Sequence, residues 1–214
     1  MSDQRGMFIA FEGGEGTGKT TQVAALKRHL MEVGLPVVDT REPGGTPVAE
    51  SIRELLLSDE LHGCDPWCEA LLFAAARADH TARLIDPALR AGNWVLCDRF
   101  LDSSVAYQGV ARGLGAQQVR EVSLTATRGR VPDLTVVLDV DPRVGLARAN
   151  DGNRLEAEEI TFHETVRQAL LDMAAASPSK YRVVSAAMPA RQVAVEVWAG
   201  LRDAFPRMLG GGRP

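Results

Sequence analysis

An α/β fold built on a parallel sheet is the class this sequence predicts, on two observations. Short apolar runs alternate with longer amphipathic segments, the pattern of successive βαβ units. The first run feeds a glycine-rich turn, Gly13-x-x-x-x-Gly18-Lys19-Thr20, which opens the first helical segment. The chain has 214 residues, 45% of them hydrophobic, enough for one large domain with a real core. No internal repeat or linker breaks the body. The expected organisation is a single domain over residues 1–208 and a flexible tail over 209–214.

Taken in order, residues 7–11 form the first expected strand and 19 to about 33 its helix, closed by Gly34 with Pro36 beyond. "PVVDT" is the second strand. After "REPGGTP", Thr46 offers an N-cap oxygen and Pro47 suits the first helical position. In that helix Val48, Ile52, Leu55 and Leu56 share a face, and Arg53 points elsewhere. Asp65-Pro66 repeats the cap-plus-proline signal and opens a helical region reaching about residue 91. Pro87, which lacks a backbone donor, has to kink or divide that region. "WVLCD" (94–98) reads as a buried strand ending in a carboxylate, 117–127 as a helix, and "DLTVVLDV" (133–140) as another buried strand. "ARANDGNRLEAEE" has no apolar period and contains Asn-Asp-Gly-Asn, the composition of a mobile loop. A helix over about 160–176, a strand "YRVVSA" and a helix over about 190–205 complete the chain.

Composition narrows the function. The formal net charge of −4 disfavours broad binding to nucleic acid. The polar start has no secretory apolar region, and no apolar run nears the roughly 20 residues of a membrane span, so a cytoplasmic protein without a membrane partner is expected. Cys64, Cys68 and Cys97 are odd in number and lack the second pair of a zinc site; they read as buried or incidental thiols. His29, His62, His80 and His163 are scattered without ligand spacing.

The glycine turn carries the strongest chemistry. Phosphates at a helix N-terminus meet unpaired N–H groups and the positive end of the helix dipole, and glycines let the backbone approach. Residues Gly13, Gly14, Glu15, Gly16, Thr17, Gly18, Lys19, Thr20 and Thr21 form this candidate nucleotide loop. Lys19 supplies a charge to the outer phosphates, and the Thr20 hydroxyl suits Mg²⁺. Asp98, at its strand end, is the natural carboxylate beside that metal. A guanine-reading switch protein is excluded, because none of the three lysines (Lys19, Lys27, Lys180) begins a Lys-x-Asp segment. A nucleic-acid motor is disfavoured by size and acidity.

Four segments, "FEGGEGTGKTTQ", "TREPGGTPVAESIRELLL", "EALLFAAARADH" and "LCDRFLDSSVAYQGVARGLG", occur in this order. With "PDLTVVLDV", "NRLE" and a late "FHE", they closely resemble bacterial thymidylate kinases, nucleoside monophosphate kinases with a phosphate-binding loop. The loop is shared by many ATPases; Asp-Arg-Phe followed by "DSSVAYQG" is far more specific. The resemblance implies a five-stranded parallel sheet wrapped by helices, with a short mobile lid at about 149–157. It implies phosphorylation of dTMP to dTDP by ATP with Mg²⁺, a step toward dTTP, in a homodimer.

It also implies roles. Phe73 and Arg77, four apart on a helix, share a face, one to stack on thymine and the other to donate to its O4. Gln108 would meet the base near N3, Tyr107 would pack beneath the sugar, and Ser104 would lie near the base. Glu15 would contact the acceptor's 3′-hydroxyl. Arg99 and Arg53 would grip the acceptor phosphate with planar forks, and Arg41 would shape the same pocket. Eukaryotic relatives place an arginine in the loop where this chain has Gly16, so the extra cation is expected from the lid, from Arg154 in preference to Arg148. Kinases for UMP, CMP or AMP share the loop but not "DRFLDSSVAYQG". A regulator without transfer activity is opposed by the intact Lys19, Thr20, Asp98 and Arg99.

Overall fold

Alternation along the strands decides what each face of the sheet meets. In β1 (Phe8–Glu12), Ile9 and Phe11 enter one apolar core while Phe8 and Ala10 enter the other. The computed structural model describes residues 5–149 and 154–209. Its other strands are β2 (Val37–Arg41), β3 (Trp94–Asp98), β4 (Leu134–Asp139) and β5 (Tyr181–Ser185). All pair in parallel, in the order β2-β3-β1-β4-β5. Both faces of the central strands are covered, so β1, β3 and β4 are mainly apolar up to the carboxylate that ends each, whereas the edges β2 and β5 are partly exposed. This is the expected five-stranded α/β sheet.

α1 (Lys19–Glu32) follows the glycine turn, and its Val23, Leu26 and Leu30 fill the first core. α2 (Pro47–Leu57) starts at Thr46, whose Oγ1 accepts from the Ala49 N–H at 3.3 Å. Its apolar stripe is not uniformly buried: Leu56 is covered, but Val48 is 50% and Leu55 37% exposed. α3 (Pro66–His80) is capped by Asp65 as expected. The chain then stays helical through a wider π turn, Thr81–Ile85, into α4 (Asp86–Arg90). The region is thus divided, as expected, by a π turn just ahead of Pro87, and the proline stands in the first turn of α4, where its missing donor is tolerated.

Two helical pieces are not visible in the sequence pattern. α5 (Leu101–Ser104) runs into a π segment, Val105–Ala111, where five successive residues, Val105 to Gly109, are buried, so no 3.6-residue period is left to read. After α6 (Ala116–Ala126), α7 (Pro142–Leu146) is a short turn of helix capped by Asp141 just before the expected lid. α8 (Ile160–Ala176) and α9 (Ala190–Ala204) match expectation, and α10 (Pro206–Leu209) adds a last turn. Leu209 packs on the first core, so the expected tail is shortened by that residue. Residues 210–214 and the lid tip, 150–153, lie outside the described residues.

Candidate active site

Strand order places the site. The chain runs from β1 toward β3 and β2 on one side and toward β4 and β5 on the other, so a crevice opens beyond the carboxyl ends beside β1. Register aligns those ends: Phe11 pairs with Asp98, and Asp98 with Arg41. The loops that follow enclose a cleft of about 510 Å³.

The glycine loop forms one wall. Lys19 is buried and folds back, donating from Nζ to the Gly14 carbonyl at 2.8 Å and to the Gly13 carbonyl at 3.2 Å. Burial, with Arg99 nearby, depresses its pKa to about 8 against the pull of Glu15, Asp98 and Glu12. Glu15, Gly16, Gly18, Lys19, Thr20 and Thr21 line the cleft, whereas Gly13, Gly14 and Thr17 form the back of the loop. Thr20 Oγ1 donates to Asp98 Oδ2 at 2.7 Å, which brings two hard oxygens together at the mouth. Among the described residues no cluster of three or more His, Cys, Asp or Glu side chains could hold a metal. A hydroxyl and one carboxylate fit Mg²⁺, which keeps waters and substrate phosphates as its other ligands. Behind the loop, α7 approaches so closely that a Cβ on Gly16 would lie 1.8 Å from the Gly145 carbonyl oxygen.

Arg99 joins the two halves of the cleft. Its backbone is left-handed (φ 67°), a sparsely populated conformation for a residue with a Cβ. The guanidinium donates to the Gly13 carbonyl (2.9 Å), Ser103 Oγ (3.2 Å) and Glu15 Oε1 (2.7 Å), and lies over the Tyr107 ring. Tyr107 Oη donates to the same Glu15 oxygen at 2.8 Å. Burial would raise the Glu15 pKa, but Arg99, Lys19 and Tyr107 outweigh it and carry it down to about 2. Burial works against the Arg99 charge as well, yet Glu15 and its other neighbours raise its pKa. Both stay charged at neutral pH.

The far end is built on α3 and the π segment. Phe73 lines the cleft half-buried, together with Ser104, Tyr107 and Gln108. Arg77 is only 2% exposed. Its Nε donates to Glu42 Oε2 (2.7 Å), Nη1 to Ser123 Oγ (3.0 Å), and Nη2 to Ser104 Oγ (2.9 Å) and the Phe100 carbonyl (3.3 Å). Glu42 Oε1 lies 3.0 Å from His80 Nδ1, whose Nε2 is 2.7 Å from Thr40 Oγ1. A carboxylate only accepts, so Nδ1 carries the proton in this contact.

The remaining arginines separate. Arg53 lines the cleft and donates to the Pro43 carbonyl at 2.9 Å. Arg41 lines the cleft and donates from Nη2 to both carboxylate oxygens of Glu50, at 2.8 and 3.0 Å. Arg148 lines the cleft and donates to the Ala186 carbonyl. Arg154, the expected lid cation, is not among the lining residues: it pairs with Glu69 Oε2 at 2.7 Å and donates to the Leu56 carbonyl at 3.1 Å.

Four partners escaped the sequence reading: Glu12, Glu42, Glu69 and Ser103. Glu12 is fully buried and its pKa is raised to about 7 by burial and Asp102; it accepts from the Phe100 and Ser103 N–H groups and holds the turn that carries Arg99. Nothing in residue type alone marks these acids, which lie inside recognisable segments but act on neighbours far along the chain.

Taken together, a loop suited to phosphates, an oxygen pair suited to Mg²⁺, a ring of arginines and an aromatic pocket share one cleft, the layout for aligning two anionic nucleotides. Comparison with known proteins agrees. A family model described as Thymidylate kinase matches residues 11–197. Curated proteins named thymidylate kinase are similar along almost their whole length. That of Pelotomaculum thermopropionicum is 47% identical over 97% of this chain and 98% of its own. That of Bacillus pumilus is 45% identical over 94% and 98%. The crystal structure of a thymidylate kinase from Ehrlichia chaffeensis superposes with a TM-score of 0.78 at 34% identity, covering 92% of this chain and 99% of that one.

Proposed function

This chain belongs to the thymidylate kinase family, and from that premise we propose how its residues divide the work. It is an enzyme that phosphorylates dTMP to dTDP with ATP and Mg²⁺, a step toward dTTP. Phosphoryl transfer asks for alignment and cancellation of charge more than for covalent help.

On the donor side, the loop N–H groups at the start of α1 cradle the ATP phosphates and Lys19 neutralises the outer ones. Thr20 and Asp98 would hold Mg²⁺, which when bound neutralises charge at those phosphates. On the acceptor side, Arg99 and Arg53 grip the dTMP phosphate, with Arg41 shaping the rim. Glu15, ionised at neutral pH, accepts from the 3′-hydroxyl, and the Tyr107 ring lies under the sugar. Phe73 stacks on thymine, Arg77 donates toward O4, and Ser104 and Gln108 border the base edge. Arg148 replaces Arg154 as our choice for the cation facing the transferring group, because Arg148 lines the cleft. Closure of the lid excludes water, the competing acceptor.

The observation that carries this reading is the single cleft shared by Lys19 and Thr20 at one end and Phe73, Arg77 and Gln108 at the other. An ADP-release assay across dTMP, dUMP, CMP, UMP and AMP tests it. dTMP should be fastest, with weak dUMP turnover because one methyl contributes only about 1–3 kcal/mol of discrimination. Faster turnover of CMP or AMP refutes it. We further propose one kinase domain over 1–208, with its lid near 149–157, working in the cytoplasm as a homodimer and without nucleic acid. The exposed Val48 and Leu55 of α2 and Leu71 of α3 support an apolar contact between copies. Light scattering that finds a monomer at micromolar concentration removes the dimer.

A further inference from the structure

Glu69 lies on α3 one turn before Phe73 and is given no task by the reaction described above. It is 2% exposed and surrounded by donors from two parts of the chain. Its Oε1 accepts from Gln108 Nε2 at 2.9 Å and lies 3.5 Å from Arg112 Nε; its Oε2 pairs with Arg154 Nη1 at 2.7 Å. Arg112 is itself tied to Glu158 at 2.6 Å. Two guanidinium groups and an amide nitrogen thus aim only donors at the buried carboxylate.

A charged carboxylate has only acceptors to offer. The Gln108 amide beside it therefore has one orientation: nitrogen toward Glu69, carbonyl oxygen away. The two ends of a glutamine amide are nearly equal in shape, so such a neighbour is what decides between them. Gln108 is 1% exposed and lines the cleft, so its oxygen is the end left for a ligand. That oxygen matches a pyrimidine with an N–H at position 3, as in thymine or uracil. Against cytosine, whose N3 carries a lone pair, two acceptors would face each other.

We propose that Glu69 is a specificity-determining positioning residue, which locks the Gln108 amide so that the cleft prefers a pyrimidine bearing N3–H over one bearing an N3 lone pair. This rests on the reading of the cleft as the dTMP site. Arg154 and Arg112 thereby act through Glu69, by donating to its oxygens and holding the carboxylate in place.

The test is kcat/KM for dTMP and dCMP, with the KM for ATP alongside, in the wild-type enzyme, Glu69→Gln, and the exchange Glu69→Gln with Gln108→Glu. A glutamine at 69 can donate as well as accept, so Gln108 can turn over. The dTMP-to-dCMP ratio should fall about tenfold, mostly through a higher KM for dTMP, with the KM for ATP unchanged. In the exchange, the carboxylate at 108 takes one bond from the amide at 69 and still presents an acceptor, so the ratio should recover. A purely structural Glu69 would lower turnover of both acceptors together, and an unchanged ratio in Glu69→Gln overturns the proposal. Should that variant fail to fold, the exchange decides alone: a ratio within threefold of wild type supports the proposal, and a lost preference overturns it. If the wild-type enzyme does not prefer dTMP to dCMP, the reading of the cleft fails first and this inference falls with it.

Discussion

Arg77→Ala is expected to unfold the protein more readily before it says anything about the base. The Arg77 side chain is 2% exposed and that of its partner Glu42 is 3% exposed. Truncation leaves that carboxylate in the interior with His80 as its one side-chain partner among the described residues. Removing one partner of a buried pair costs about 3–5 kcal/mol. The hydroxyls of Ser104 and Ser123 can rotate to other acceptors and add little. For a chain of this size 1 kcal/mol shifts the melting point by about 2–4 °C, so a fall of roughly 6–20 °C is expected. Thermal and urea melts of Arg77→Ala, Glu42→Gln and the double variant measure it, and the double variant should lose less than the sum of the singles. A melting point within about 3 °C of wild type, or strict additivity, would show that the pair does not carry this load. Acceptor selectivity of Arg77→Ala is then to be read well below its own midpoint.

Other expectations concern charge. Glu15, at about 2 against an ordinary 4.5, stabilises the fold above the unfolded value and loses that contribution as pH falls through the folded one. About 3 kcal/mol should therefore disappear between pH 4.5 and 2 in wild type relative to Glu15→Gln; parallel acid-stability curves would contradict it. Lys19, near 8, should make ATP binding by the unliganded enzyme weaken above pH 8, by up to about tenfold per pH unit, whereas Lys19→Arg should be flat over that range. Calorimetric titration at three pH values would reveal it, and a flat wild-type profile would count against the depressed pKa. Arg148→Ala should lower kcat at least tenfold with little change in the KM for dTMP, while Arg154→Ala should mainly raise that KM and lower stability. The reverse pattern would return the transition-state role to Arg154.

The sheet, the phosphate loop and most helices were legible because their signals are local: apolar period, a cap residue, a proline, a glycine spacing. Thr46 and Asp65 announce their helices in the sequence and cap them in the structure. The helix over 101–111 was not legible, since burial on all sides and π geometry erase the period. Site residues divide the same way. Phe73, Arg77, Arg99, Tyr107 and Gln108 were visible through the segments they stand in, and they do meet in one cleft. Their partners were not visible, because Arg77 with Glu42, or Gln108 with Glu69, joins positions 35 and 39 residues apart. The position of Arg154 could not be foreseen either, since it depends on which buried acid the segment carrying it meets.

The bare approach of α7 to the phosphate loop has one more implication. With the Gly145 oxygen standing 1.8 Å from where a Cβ on Gly16 would be, nothing larger than hydrogen fits at position 16 unless the helix retreats. An arginine introduced there, in imitation of the eukaryotic arrangement, would have to push aside the very helix that leads into the lid. In this scaffold a loop-borne cation at position 16 therefore demands that α7 be reset along with it, so the two positions are coupled through backbone packing alone.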